Sequence, residues 1–388
     1  MNNDNLKSLL ANYERKRNSK IADANLKKEK IISSIPELEK VENDINSLSI
    51  KAIKLILTTR DKSLIDNLNK QIACLKSQKL DILKKHNLSQ DDFLPKFDCP
   101  ICKDTGFVKQ NNNNVLCNCI KQKLYNIEYN HSNIYDLQNQ NFDNFRLSFY
   151  SDLVDEYKYG KNISPRDNII SIKKICQHFI DHFDDPDESN LLFCGSPGLG
   201  KTFLSSCIAN EMIKRGKTVL YQTAPMMLDN IIDYKFGKSS NNIISSINSV
   251  DLLIIDDLGT ESKNNLKITE LFNIINTRLL NQNNKITKTI ISTNLSLQDL
   301  YNTYEERIVS RIIGNYNACY FFGDDIRINN AYGMLLMRRG LFEEAEPYFR
   351  TAIKRLTWKN PNPYNSEAYY LLGLDLCYLG REDEAYDA

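Results

Sequence analysis

At 388 residues the chain has room for two or three domains of roughly 150 residues each. With 41% apolar and 26% charged residues it can bury cores and is not disordered by composition. A net charge of +1 excludes a uniformly basic nucleic-acid coat and a polybasic membrane binder, while leaving room for a local basic groove.

No apolar run approaches the roughly 18 residues a membrane span needs, and Met1–Leu10 is polar with no signal-peptide core. A soluble, cytoplasmic protein with no membrane partner is expected. Ten cysteines are too sparse for a disulfide scaffold, and four of them cluster between 99 and 119, which fits a reducing compartment and one metal site.

Residues 1–96 carry 19 Lys/Arg and 13 Asp/Glu, a local net of +6. Leu6, Leu9, Leu10 and Tyr13, then Ile53, Leu55 and Ile56, then Leu64, Ile65, Leu68, Ile72 and Leu75 recur at three-to-four spacing. Gly is absent and Pro36 is an isolated break, so two or three amphipathic helices are predicted, either a solvated hairpin or a partner-docking arm.

Residues 97–125 form a cysteine module. Cys99-Pro-Ile-Cys102 and Cys117-Asn-Cys119 flank a polar Asn111–Asn114 loop. A C-x₂-C knuckle points two sulfurs at one ion, and a tetrahedral four-sulfur set suits Zn²⁺. Four protein ligands leave no position for a reacting water, so a structural site is expected. The closing C-x-C is tight, which leaves His131 as a substitute fourth ligand, and a redox C-x-x-C is the competing reading.

Residues 126–190 read as a linker and lead-in. From 191 to 328, apolar strands at 191–194, 218–222, 251–256, 289–293 and 318–322 alternate with helical stretches, which predicts an α/β parallel sheet with helices on both faces. Gly195-Ser196-Pro197-Gly198-Leu199-Gly200-Lys201-Thr202 matches the phosphate-binding pattern G-x-x-x-x-G-K-[ST] in full, after a strand and before a helix. Its backbone N–H groups would close around the β-phosphate, Lys201 would reach the β- and γ-phosphates, and Thr202 would ligate Mg²⁺.

Leu252–Ile255 then delivers Asp256, a candidate Mg²⁺ partner through water, and Asp257, a candidate to polarise the attacking water. Asn294 ends the next strand and is placed to orient that water. Arg307 and Arg311, four apart on one helix face, either are surface cations or supply an arginine across a subunit boundary to the γ-phosphate.

The last 58 residues differ in composition. Residues 1–330 hold 43 Asn, 33 Lys and 10 Arg, whereas 331–388 hold 3 Asn, 2 Lys and 5 Arg. Gly333, Leu336, Gly340 and Ala345 recur 40 residues later as Gly373, Leu376, Gly380 and Ala385, which predicts paired helices with glycine turns.

With these residues in hand, positions 1–328 resemble the bacterial replicative helicase loaders of the DnaC/DnaI type, AAA+ ATPases related to the IstB transposition helpers. The resemblance rests on NFDNFRLSFY (141–150), NLLFCGSPGLGKTFLSSCIA (190–209), VLYQTA (219–224), DLLIIDDLGT (251–260), STNLSL (292–297), ERIVSR (306–311) and FFGDDIR (321–327). CPICKDTG at 99–106 is similar to the zinc-bearing segment of one branch of that family.

The resemblance implies an ATPase that helps open a hexameric replicative helicase onto single-stranded DNA, with the N-terminal region on the helicase and the core self-associating around ATP. By motif it makes Asp256 and Asp257 the Walker B pair, Asn294 sensor 1 and Arg311 the likelier finger. An IstB-like transposition helper is the alternative. The segment after 329 departs from this pattern and resembles tetratricopeptide repeats. That fits a truncated array, a chimeric product, or a nucleotide-switched scaffold with a peptide or protein partner.

The expected organisation is a helical arm (1–96), a zinc module (97–125), a lead-in (126–190), an AAA+ core (191–328) and a partial repeat segment (331–388).

Overall fold

In a computed structural model of the chain, residues 3–58, 62–110, 112–129, 140–239, 242–262, 264–281, 285–324, 329–353 and 363–387 are described. His131 lies outside them. The chain divides into two units, Asn3–Ile120 and, apart from the first two residues, Lys121–Ala388. Among the described residues no helix is long and apolar enough to cross a membrane.

The first unit opens with three helices, α1 (Asn3–Ser34), α2 (Pro36–Thr58) and α3 (Lys62–Lys85). Pro36 takes the first turn of α2, where its missing N–H costs no hydrogen bond, and so it separates α1 from α2. Ile35, Leu38, Ile82 and Leu83 close a small core where α2 and α3 meet. A two-stranded antiparallel ribbon, β1 (Phe107–Gln110) and β2 (Asn113–Leu116), joins the cysteine pairs. Helix α4 (Asn118–Glu128) follows, carrying Cys119 in its first turn.

In the second unit, α5 (Glu156–Tyr159) and α6 (Pro165–Asp181) precede the strands. Ser164 caps α6 through Asp167 N–H, and Ile169, Ile172, Cys176, Phe179 and Ile180 bury one face. The stretch read as a linker thus contributes a full amphipathic helix to the core below the sheet.

Strands β3 (Asn190–Gly195), β4 (Val219–Thr223), β5 (Leu252–Leu258), β6 (Lys288–Thr293) and β7 (Tyr316–Phe321) form one sheet in the order β4-β5-β6-β3-β7, and every pair is parallel. Helices α7 (Lys201–Lys214), α8 (Ala224–Lys235), α9 (Ile243–Ser249), α10 (Asn265–Asn281), α11 (Leu297–Thr303) and α12 (Glu306–Asn315) supply the crossovers. The two faces of the sheet are covered by two apolar clusters, which is why the central strands are apolar throughout and do not alternate.

Arg278 is buried beneath the sheet and is fully spent on structure. It donates to the carbonyls of Ile247 (2.5 Å), Val250 (3.2 Å) and Lys288 (2.7 Å) and to Thr289 Oγ1 (2.9 Å). Burial lowers its pKa to about 10.

Residues 329–387 add α13 (Asn329–Arg338), α14 (Phe342–Ile353), α15 (Pro363–Tyr378) and α16 (Glu382–Asp387). The α13–α14 and α15–α16 turns are alike. Gly340 (φ 73°) and Gly380 (φ 71°) sit in left-handed conformations, and the next N–H returns to the carbonyl of Leu336 (3.0 Å) or Leu376 (2.9 Å). Leu336, Ala345, Phe349, Leu371, Leu372 and Leu376 form their common core.

Candidate functional site

The phosphate-binding pattern occupies the turn between β3 and α7, at the carboxyl edge of the sheet where β3 and β6 neighbour each other. Two glycines there are dictated by space. A Cβ on Gly195 (φ 146°) would lie 2.1 Å from Phe321 O, and one on Gly200 (φ 88°) would lie 2.6 Å from the Tyr150 hydroxyl. Gly200 is also the N-cap of α7, so the first free N–H groups of that helix face the turn.

Lys201 is only 4% exposed, and its amine donates to Gly195 O (2.6 Å), Ser196 O (2.8 Å) and Asn294 Oδ1 (2.8 Å). Thr202 Oγ1 donates to Asp256 Oδ2 at 3.0 Å. The end of β5 is irregular: the pairing with β6 slips between Ile255 and Leu258, and Asp257 takes a left-handed φ of 55°. That kink separates two adjacent carboxylates. Asp256 turns into the protein, 3% exposed, while Asp257 lines a cavity of about 450 Å³ with Lys201, Thr202 and Asn294.

The structure therefore brings Gly198 to Thr202, Asp256, Asp257 and Asn294 together. It places Arg307 and Arg311 elsewhere, on α12, with both guanidinium groups over the Phe272 ring (4.4 and 4.7 Å). Arg307 pairs with Glu305, and Arg311 donates to Asn276 Oδ1 at 2.8 Å. Neither lines the phosphate cavity.

Two groups of residues escape sequence reading. Phe145, Arg146, Phe149, Tyr150 and Phe203 wall the same cavity. Tyr150 donates to Leu199 O (2.9 Å), and Phe145 packs against Tyr150 and Phe203 at ring distances of 5.9 and 5.7 Å. The available signal was the aromatic run at 142–150 just ahead of the sheet.

The second group holds Asp256. Tyr221 on β4 donates to its Oδ2 at 2.8 Å, and Ser292 on β6 donates to its Oδ1. Ser292 Oγ also accepts from Asp257 N–H at 3.1 Å. Ser292 stands two residues before Asn294, the spacing that repeats a strand face, and only that spacing hinted at it.

In the first unit, the four module sulfurs all lie within 4.8 Å of one another and none is in a disulfide. Cys99 and Cys117 Sγ are 3.9 Å apart, and Cys102 and Cys119 Sγ 3.6 Å. Tetrahedral Zn²⁺ with bonds of about 2.3 Å separates its sulfurs by about 3.8 Å, so the set has the right size and chemistry for that ion. Asp104 braces the knuckle, accepting from the N–H groups of Asp98 (2.9 Å) and Cys99 (2.8 Å) and from Lys20 of α1 (3.0 Å).

Residues 150–314 match the family described as IstB-like ATP binding protein. The replicative helicase loader DnaC of Escherichia coli K12 is 27% identical over 154 residues, which is 39% of this chain and 61% of that protein. A putative insertion sequence ATP-binding protein, y4pL of Sinorhizobium fredii, is 26% identical over 168 residues, 42% of this chain and 64% of that one. A crystal structure of DnaI is 25% identical and covers 43% of this chain and 86% of that chain, with a TM-score of 0.35. The chain thus spans less than two thirds of the length of these curated relatives. On the sequence match and the strand–turn–helix that carries it, residues 150–314 are a P-loop ATP-binding core similar to the IstB-like family and to DnaC.

Proposed function

We propose that this core binds and hydrolyses Mg²⁺–ATP and that the chain uses the cycle to load a hexameric replicative helicase onto single-stranded DNA. The observation that carries the reading is the convergence of Lys201, Thr202, Asp257 and Asn294 on one cavity at the switch point of a parallel sheet.

The turn N–H groups and the α7 N-terminus would hold the β-phosphate, and Lys201 would exchange one of its present oxygen partners for a phosphate oxygen. Thr202 and Asp256 would hold Mg²⁺, which neutralises phosphate charge when bound. Asp257 would draw a proton from the attacking water and Asn294 would orient it. The aromatic wall of Phe145, Tyr150 and Phe203 offers a stacking surface for the base.

Arg307 and Arg311 lie away from their own cavity, so a stabilising arginine from this helix has to serve a neighbouring subunit. That makes turnover depend on self-association. Cys99, Cys102, Cys117 and Cys119 would hold a structural Zn²⁺, and α1 would be tied to that module through Lys20. The arm exposes Ile50, Ile53 and Leu57 on α2 beside an excess of positive charge, which suits an acidic, partly apolar partner surface.

The test uses the full chain with the replicative helicase of the same cell. Capture of the helicase, and ATP-dependent loading onto single-stranded circles that is lost in Lys201→Ala, would support the reading. The second reading, a transposition helper, draws on the similarity to y4pL. It predicts duplex-DNA and transposase binding with no capture of the helicase. Deleting 331–388 separates both from a scaffold, because loading lost only with that deletion would make the repeats the working part. Metal analysis of the purified chain should give one zinc per chain, lost together with Cys99→Ser.

A further inference from the structure

Asp256 is held by an unusual number of donors. Thr202 Oγ1 and the Tyr221 hydroxyl donate to Oδ2 at 3.0 and 2.8 Å, Ser292 Oγ donates to Oδ1, and Asp257 N–H approaches Oδ1 at 3.2 Å. A carboxylate offers about four lone-pair positions, so the protein itself fixes both oxygens. Three of the donors come from three different elements: α7, β4 and β6.

Thr202 differs from the other two. Its hydroxyl gives its proton to Asp256, which leaves the oxygen lone pairs directed elsewhere and available to a cation. Tyr221 and Ser292 are fully buried and do not line the cavity, so they reach the metal site through the Asp256 carboxylate.

We infer that Tyr221 and Ser292 are positioning residues of the Mg²⁺ site, which fix the Asp256 carboxylate from behind and so aim the Thr202 oxygen at the metal. Ser292 has a second effect: by accepting from Asp257 N–H it holds the kink that turns Asp257 toward the cavity. The inference rests on the nucleotide reading above and deepens it. Outer partners of metal ligands commonly change metal affinity by about 10- to 100-fold when removed.

The experiment measures binding, not turnover. A fluorescent ATP analogue is titrated into the full chain in EDTA, then Mg²⁺ is titrated at fixed analogue to find the concentration giving half of the metal-dependent gain. For Tyr221→Phe and Ser292→Ala, affinity in EDTA should stay within about twofold of wild type while the Mg²⁺ half-point rises about tenfold. Ser292→Thr, which keeps the hydroxyl, should restore it.

An unchanged or lower Mg²⁺ half-point in both variants would overturn the inference. So would equal loss of binding in EDTA, which marks a merely structural role. Failure of the wild-type chain to bind the analogue would instead overturn the nucleotide reading, and this inference with it.

Discussion

Two aspartates, one in the sheet and one in the C-terminal helices, are buried to the same degree and treated in opposite ways. Asp256 is 3% exposed and accepts from three hydroxyls and a backbone N–H. Asp375, on α15, is 0% exposed and, among the described residues, neither of its oxygens has a hydrogen-bond partner. The charged group that faces Asp375 is Glu346 on α14, itself tied to Arg350 (2.5 Å) and Arg381 (2.7 Å). A buried carboxylate costs folding free energy unless it is hydrogen-bonded or paired. In the core that cost is offset by hydrogen bonds, at a carboxylate for which the proposed Mg²⁺ site has a use, whereas Asp375 shows no such compensation among the described residues.

The largest test of the contrast is at the cavity itself. Asp257→Asn keeps a residue tolerant of the left-handed backbone at φ 55° and removes only the carboxylate. Analogue binding should stay within a few-fold, while ATP turnover falls by about 10²- to 10⁴-fold, the usual worth of a positioned base. Phosphate release and analogue titration on the same preparation check it. Equal turnover in the two proteins would strip Asp257 of its role.

Reciprocal truncations come next. Asp256→Ala removes the acceptor that the buried Tyr221 and Ser292 hydroxyls share, and a buried donor left unsatisfied costs about 1–3 kcal/mol. The amides of β4, β5 and β6 should lose hydrogen-exchange protection accordingly. Asp375→Leu should do the reverse. It removes an unpartnered buried carboxylate and adds an apolar side chain to the Leu371–Leu376 core, so protection of α13 to α15 should rise by about 1–2 kcal/mol. Destabilisation by Asp375→Leu would mean that this carboxylate has a partner after all.

The fold was legible where residue types leave few choices. Leu191–Cys194 and Leu252–Ile255 are apolar on both faces, and the glycines of 195–200 need a strand before them and a helix after. The parallel sheet and its phosphate turn follow from that. Strand edges were less legible. β7 starts at Tyr316, before the 318 expected, because Asn317 and other exposed positions on an edge strand interrupt the apolar run. Asp251 looked like a strand residue but caps the entry to β5, accepting from Thr218 N–H and Oγ1 at 2.7 and 2.6 Å.

Within the site, Lys201, Thr202 and Asp256 lie in local patterns and were readable. Tyr221 and Ser292 were not, because their bonds to Asp256 cross strands 35 and 36 residues apart in sequence. The aromatic wall at 145–150 lies in a stretch whose irregular backbone has no period to read.

The smallest expected effect is a pH dependence confined to the tail. Burial, with the Glu346 charge as the lesser cause, pushes Asp375 from 3.8 up to about 6. The folded helices then bind a proton more tightly than the unfolded segment does. Between the two values the folded state holds more protons, so stability falls as pH rises. The contribution is complete below about pH 4 and is lost by the time pH has passed 6. Exchange of α13–α15 amides in the full chain, corrected for intrinsic rates, should therefore slow between pH 7 and pH 5. Amides of β5 and β6, behind the hydrogen-bonded Asp256, serve as the internal reference. Asp375→Asn removes the titrating group and should flatten the tail profile while leaving the sheet unchanged. A tail profile that keeps its slope in Asp375→Asn would assign the proton to the Glu346–Arg350–Arg381 cluster and make the two aspartates less different than their hydrogen bonds imply.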